Sequence, residues 1–174
     1  MALPVRSSHD FYYLATCPAM LQECISLLQQ FAPKHAMTEA LMELLEQKKD
    51  ASQYFGDDHG NDLRLEDLSN LHYNPFKSDV LKPHLGDRLA LLTTDDFDLV
   101  AGELPIIARN YLNDGISRNL WYEEYVPREA RFLTMVSRED GADHLNGFLN
   151  RTDHVVQLGA NATVGYGLCA FHTL

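Results

Sequence analysis

Apolar positions along this chain follow two rhythms, one near 3.6 residues and one near two, and they switch at proline, glycine and Asp/Asn-rich segments. Tyr12 to Thr16 reads as the end of a strand. Pro18 then stands where a helix can begin, because its missing N–H would be unpaired in a first turn anyway. Leu21, Cys24, Leu28 and Phe31 fall on one helical face, and Pro33 stops the run. A second helix is expected over residues 38–49, with Thr38 as N-cap and Leu41, Met42, Leu44 and Leu45 as its buried stripe. The polar stretch 53–62, with Gly56, Asp57, Asp58, His59, Gly60 and Asn61, reads as an exposed loop.

Leu63 and Leu65 alternate with Arg64 and Glu66, a weak strand signal, and Asn74-Pro75 and Lys82-Pro83 then break the chain twice. Residues 88–93 form a short buried strand. Thr94 or Asp95 is expected to cap a helix carrying Phe97, Val100, Ala101 and Leu104. Residues 106–112 and 120–125 flank Asn113-Asp114-Gly115, a β-hairpin whose Asp-Gly pair supplies the positive φ such turns need. Residues 131–136 are expected as another strand, 144–149 as a short helix, and 154–158 and 168–173 as closing strands. Helices and antiparallel strands are mixed without a βαβαβ rhythm, which defines an α+β fold.

Length and charge narrow this picture. The chain has 174 residues, 45% of them hydrophobic, which suits a single domain with one core. No apolar run approaches the roughly 18 residues of a membrane span. The start, Met1 to Arg6, is followed by polar residues and not by the apolar region of a signal peptide. A soluble, cytoplasmic protein with no membrane partner is expected. The net charge is −11, and it is evenly spread: residues 1–87 carry 7 basic and 13 acidic side chains, and residues 88–174 carry 7 and 12. A basic nucleic-acid footprint is therefore missing from the chain as a whole. Cys17, Cys24 and Cys169 are an odd number without a C-x-x-C, so buried thiols are expected and not a disulfide framework.

Familiar catalytic patterns find little support. The eight histidines include no H-E-x-x-H, and none has a cysteine at zinc-finger spacing, so no metal site is expected. Asp95-Asp96 opens a helix, where carboxylates complement the dipole and cap free N–H groups. Glu123-Glu124 lies on a strand, so its side chains face opposite ways and form no dyad. A G-x-S-x-G elbow is absent.

The closing segment differs. Three of the ten glycines, Gly159, Gly165 and Gly167, fall within nine residues, and residues 154–174 contain no Asp, Glu, Lys or Arg. Free backbone N–H groups in such a loop can cradle a phosphate without a cationic side chain. The pattern lacks the Lys-Ser/Thr end of a Walker A motif, and it fits a tight loop between two strands equally well. Both readings stand on spacing alone.

Val155 to Gly167 resembles the "LQIGG-x-x-TVG-x-G" ending of RAMP-superfamily CRISPR proteins. Leu3-Pro4-Val5-Arg6-Ser7 with Tyr13 to Pro18 resembles the "PVRSL…TSP" block of one family within it, and Leu120 to Pro127 resembles that family's "LWYEEYIP" block, with Phe132 at its next aromatic position. The family is that of the fourth, backbone-forming subunit of the type III-B CRISPR (Cmr) complex, which acts in antiviral defence. The resemblance runs from about Leu3 to Phe171.

That resemblance implies a modified RRM-like (ferredoxin-like) palm with a helical insertion and a β-hairpin thumb, incomplete in this chain. It implies crRNA and target RNA as partners, together with other Cmr subunits or copies of itself. RNA contacts would fall on Gly159, Asn161, Thr163, Gly165, Tyr166 and Gly167. No catalytic residue and no cofactor are assigned, since the family's ribonuclease reaction uses an acidic residue and a divalent metal from an N-terminal part without counterpart in these 174 residues. Asp57, Asp58, Asp95 and Asp96 are not substitutes for it. Ala160 stands where the family has its second glycine. The expected role is a truncated or split backbone subunit whose apolar sheet edge pairs with a partner. The alternatives are a viral mimic that blocks effector assembly and an independent metal-dependent ribonuclease.

Overall fold

Burial alternates along the first two strands, so that Leu3, Val5, Tyr13 and Ala15 face one core. The two strands, β1 (Leu3–Arg6) and β2 (Tyr12–Thr16), pair antiparallel with Leu3 opposite Ala15 and Arg6 opposite Tyr12. The computed structural model of the chain describes residues 1–60, 62–136, 144–161 and 165–174. Within them the chain divides into two compact units, Met1–Thr134 and Met135–Leu174.

In the first unit three further strands, β3 (Gln53–Phe55), β4 (His72–Tyr73) and β5 (Leu89–Leu91), complete a sheet of order β1-β2-β5-β3-β4. β2 and β5 run parallel, and β3 is antiparallel to β5. One face of this sheet carries helices α1 (Pro18–Phe31) and α2 (Ala36–Glu46). Their Leu21, Ile25, Leu28, Leu41 and Leu44 pack with Phe55, Leu89 and Leu91. On the other face Tyr13, Tyr54 and Ala90 pack with Leu63, Leu65 and Phe97, the last from α4 (Thr94–Gly102). A short α3 (Lys82–Leu85) starts with Pro83 in its first turn.

Several expectations are corrected here. The stretch 53–62 is not all loop: Gln53, Tyr54 and Phe55 are a fully buried strand between β5 and β4. A sheet covered on both faces shows no polar alternation. Its polar member, Gln53, is satisfied inside, donating to Gln47 O at 2.8 Å and accepting from Asn74 Nδ2 at 2.9 Å. Thr38 does not cap α2. His35 does, with Nδ1 accepting from Met37 N–H at 3.2 Å, while the buried Thr38 hydroxyl donates to Ala32 O at 3.4 Å. Ile25 takes the buried place expected for Phe31, which is exposed, as is Met42.

Thr93, one residue ahead of expectation, caps α4 by accepting from Asp96 N–H at 3.2 Å. Residues 63–68 make isolated bridges and no strand, Leu65 pairing with Ser7 and Leu68. Residues 131–136 contribute one bridge, Ala2 with Arg131.

The outer edge of β1 is closed by its own neighbours. Arg131 exchanges backbone hydrogen bonds with Ala2 at one end. At the other, Arg6 N–H donates to the Glu66 carboxylate at 2.7 Å and Arg6 O accepts from Glu66 N–H. Between them Pro4 shares that outward side and has no N–H to offer a further strand.

The expected hairpin is present as β6 (Ile106–Asn113) and β7 (Ile116–Glu124). Its turn uses Asp114 and Gly115 at φ of 52° and 76°. In the second unit α5 (His144–Arg151) precedes a two-stranded ribbon, β8 (Val155–Gln157) antiparallel to β9 (Leu168–Ala170).

Candidate nucleic-acid interface

The ribbon of the second unit positions the glycine-rich loop. Val155 lies opposite Ala170 and Gln157 opposite Leu168, and the ladder extends by a 2.8 Å bond from Leu158 N–H to Gly167 O. Beyond that bond the backbone turns through left-handed conformations at Gly159 (φ 83°), Asn161 (φ 64°), Gly165 (φ 81°) and Gly167 (φ 76°). Of these, Gly167 is fixed by space as well as by φ. A Cβ there would collide with the Leu158 carbonyl oxygen and stand 3.0 Å from Gln157 Nε2.

Four of the expected RNA-binding residues, Gly159, Gly165, Gly167 and Tyr166, come together around the neck of this loop. Asn161 joins them by accepting Tyr166 N–H on its carbonyl at 3.3 Å. Thr163 lies outside the described residues. Among the described residues, the N–H groups of Gly159, Ala160 and Gly165 donate to no protein acceptor. Ala160, the departure from the glycine pair, has an ordinary negative φ, so its methyl group costs the backbone nothing.

A residue that spacing did not single out organises this neck. The Gln157 side-chain amide donates to Gly159 O at 3.2 Å and Tyr166 O at 3.3 Å, and reaches Leu158 O at 3.5 Å. Occupying those carbonyls leaves the loop presenting donors, the polarity an anion needs. The available signal was a lone amide side chain in an uncharged strand two residues before the first glycine.

The hairpin carries a second polar network. Glu123 accepts from Arg109 Nε at 2.8 Å and from Trp121 Nε1 at 2.8 Å, with Arg109 directly opposite Trp121 in the register. Tyr111, Leu120 and Tyr122 are exposed along the same hairpin.

The acidic pairs serve local structure. Asp58 accepts from Gly60 N–H at 2.8 Å and holds the turn after β3. Asp96 accepts from the Ser52 hydroxyl and, with Asp95, occupies the first turn of α4. The altered titrations lie in the first unit. Burial pushes the Tyr13 hydroxyl up to about 12, Tyr54 and Asp57 adding to it and Arg88 opposing. Tyr54 is also raised, first by burial, although its hydroxyl accepts from His59 N–H at 3.0 Å and donates to Gly60 O at 3.1 Å. The exposed Lys82 is raised by its 2.8 Å bond to Asp87.

Fold and loop together define a class: a mixed α+β chain with a long, largely exposed hairpin and a C-terminal glycine-rich loop between two strands. The profile described as RAMP superfamily matches residues 23–170, and the chain belongs to that superfamily. Its fold is similar to two cryo-EM structures of a type III-B Cmr-beta complex. The apo form has TM-score 0.72 at 17% identity, and the form bound to cognate target RNA has 0.68 at 16%; each covers 97% of this chain and 65% of the relative. It is also similar to the crystal structure of oligomeric Cmr4 from Pyrococcus furiosus, with TM-score 0.61 and 20% identity over 97% of this chain and 67% of that one. The chain thus spans about two thirds of the length of these relatives. No curated protein matches it. The ferredoxin-like α+β fold expected from sequence is the fold of these relatives. Among the described residues no helix is long and apolar enough to cross a membrane.

Proposed function

We propose that this chain acts as a Cmr-type backbone piece that binds crRNA and neighbouring subunits and does not cut RNA by itself. The observation that carries this reading is the loop at Gly159–Gly167: uncharged, left-handed at four described positions, and with uncommitted N–H groups at Gly159, Ala160 and Gly165. A phosphate there meets backbone donors on a segment, residues 154–174, that itself carries no carboxylate, in a protein of net charge −11. In this reading Gly159, Asn161, Thr163, Gly165, Tyr166 and Gly167 form the contact. The relatives support the partner classes: one Cmr-beta structure is bound to target RNA, and Cmr4 is oligomeric.

Cleavage is not assigned to any residue of this chain. Asp58 and Asp96 are engaged in a turn and a helix start. Exposed apolar side chains on the ribbon, Val155, Leu158 and Leu168, supply a surface for a neighbouring subunit. The test is a pull-down against Cmr subunits with and without crRNA, alongside RNA binding by Gly165→Val. Capture that depends on crRNA and is weakened in the variant supports the reading; unchanged RNA binding in a folded Gly165→Val protein contradicts the loop assignment.

A second reading is favoured by the strongly acidic charge: a mimic that docks into a Cmr filament and blocks its assembly. It differs in outcome, since adding the chain would then inhibit target-RNA cleavage by an otherwise complete complex.

A further inference from the structure

Beside the closed edge of β1 the first unit contains a cavity of about 610 Å³, and we propose that it is a docking groove for a short polypeptide segment that is apolar and basic. Its apolar lining comes from Leu68, Leu99, Val100 and Leu104, the last three from α4 and the residues just after it. Leu99 is 51% exposed although the helix is anchored on the other side by the buried Phe97. A solvated leucine at the wall of a concavity is a contact waiting for an apolar partner.

Charge sets the partner's character. Glu66, Asp67 and Glu103 stand on the rim with Arg128, while Glu129 is paired with Arg131 at 3.4 Å. The remaining rim cation, Arg6, is neutralised by Asp10 at 2.6 Å. The groove is therefore apolar within and net negative around, which complements leucine-like side chains interspersed with Lys or Arg. Pro4 and the bonds at Ala2 and Arg6 shut the adjacent strand edge, so the segment binds through side chains and not by adding a strand. An apolar floor ringed by carboxylates suits a polypeptide, which can carry leucine-like and cationic side chains on one backbone. This inference is independent of RNA binding by the glycine-rich loop.

The test is fluorescence anisotropy with a labelled peptide of alternating Leu and Lys, and its Leu/Glu counterpart, on the full chain. Saturable binding of the Lys peptide is expected, about tenfold or more tighter than the Glu peptide and weakening with salt. Leu99→Asp, at an exposed position that leaves the core intact, should abolish it, and Asp67→Asn/Glu103→Gln should weaken it about tenfold. Glu39→Gln/Glu43→Gln on the exposed face of α2 should leave it unchanged. Failure of the Lys peptide to saturate, equal binding of both, or retention in Leu99→Asp would overturn the proposal. So would an α2 variant as weak as the rim variant, which would mean charge attraction alone.

Discussion

Leu158 and Gly167 meet across the neck of the C-terminal loop so closely that only glycine fits at the second position. Leu158 N–H donates to Gly167 O at 2.8 Å, and a Cβ on Gly167 would be driven into the Leu158 carbonyl oxygen. The neck is thereby held narrow.

Gly167→Ala should therefore widen the neck. The positive φ alone costs about 1 kcal/mol, and the collision adds to it. RNA affinity is expected to fall about tenfold or more while the first unit keeps its helical circular dichroism. Gly165→Ala, where no atom of the described residues lies within 4 Å of the added carbon, should lose only the φ term. A filter-binding comparison of the two variants checks the order.

Gln157→Leu keeps the strand but removes the donors to Gly159 O and Tyr166 O. Two exposed hydrogen bonds of this kind are worth about 1–2 kcal/mol together. Amide exchange at Leu158 and Tyr166, whose N–H groups donate to Gly167 O and Asn161 O, should accelerate, and RNA affinity should drop several-fold. Gln157→Glu should be worse than Leu, since it sets a carboxylate against carbonyl oxygens and against an incoming phosphate.

Tyr13 makes stability fall at alkaline pH. Its hydroxyl is neutral when protonated, and folding raises it from 10.0 to about 12. The contribution is fully present below pH 10 and is lost as pH climbs towards 12. The buried hydroxyl has no hydrogen-bond partner among the described residues, so Tyr13→Phe should be neutral or stabilising by about 1 kcal/mol at pH 7 and should reduce the alkaline loss. Urea denaturation at pH 7 and above pH 10 measures both.

On the hairpin, Arg109 and Glu123 are partly buried and bonded at 2.8 Å. A double-mutant cycle with Arg109→Ala and Glu123→Ala should return a coupling of about 0.5–1 kcal/mol. Trp121 fluorescence should shift in the Glu123 variant, because its indole N–H loses the 2.8 Å bond to that carboxylate.

The parts of this fold legible in sequence are those fixed by local chemistry. Pro18 and Pro33 bracket α1, and Asp114-Gly115 places the hairpin turn. β3 was illegible because its three residues are buried on both faces and its Gln53 is satisfied by Gln47 O and by the side chain of Asn74, 21 residues on. The cap of α2 went to His35, a residue with weak capping preference, because Thr38 is needed inside against Ala32 O. In the candidate site, the glycine positions could be read directly. Gln157 could not, since its role depends on where Tyr166 O lies across the ribbon.

The most direct test of an RNA-holding loop is a ¹H–¹⁵N titration of the chain with a single-stranded crRNA. The account predicts that the amides of Gly159, Ala160 and Gly165 move most and downfield, as N–H groups do on meeting phosphate. RNA binding that leaves those three amides unmoved, or no binding at all, would contradict it.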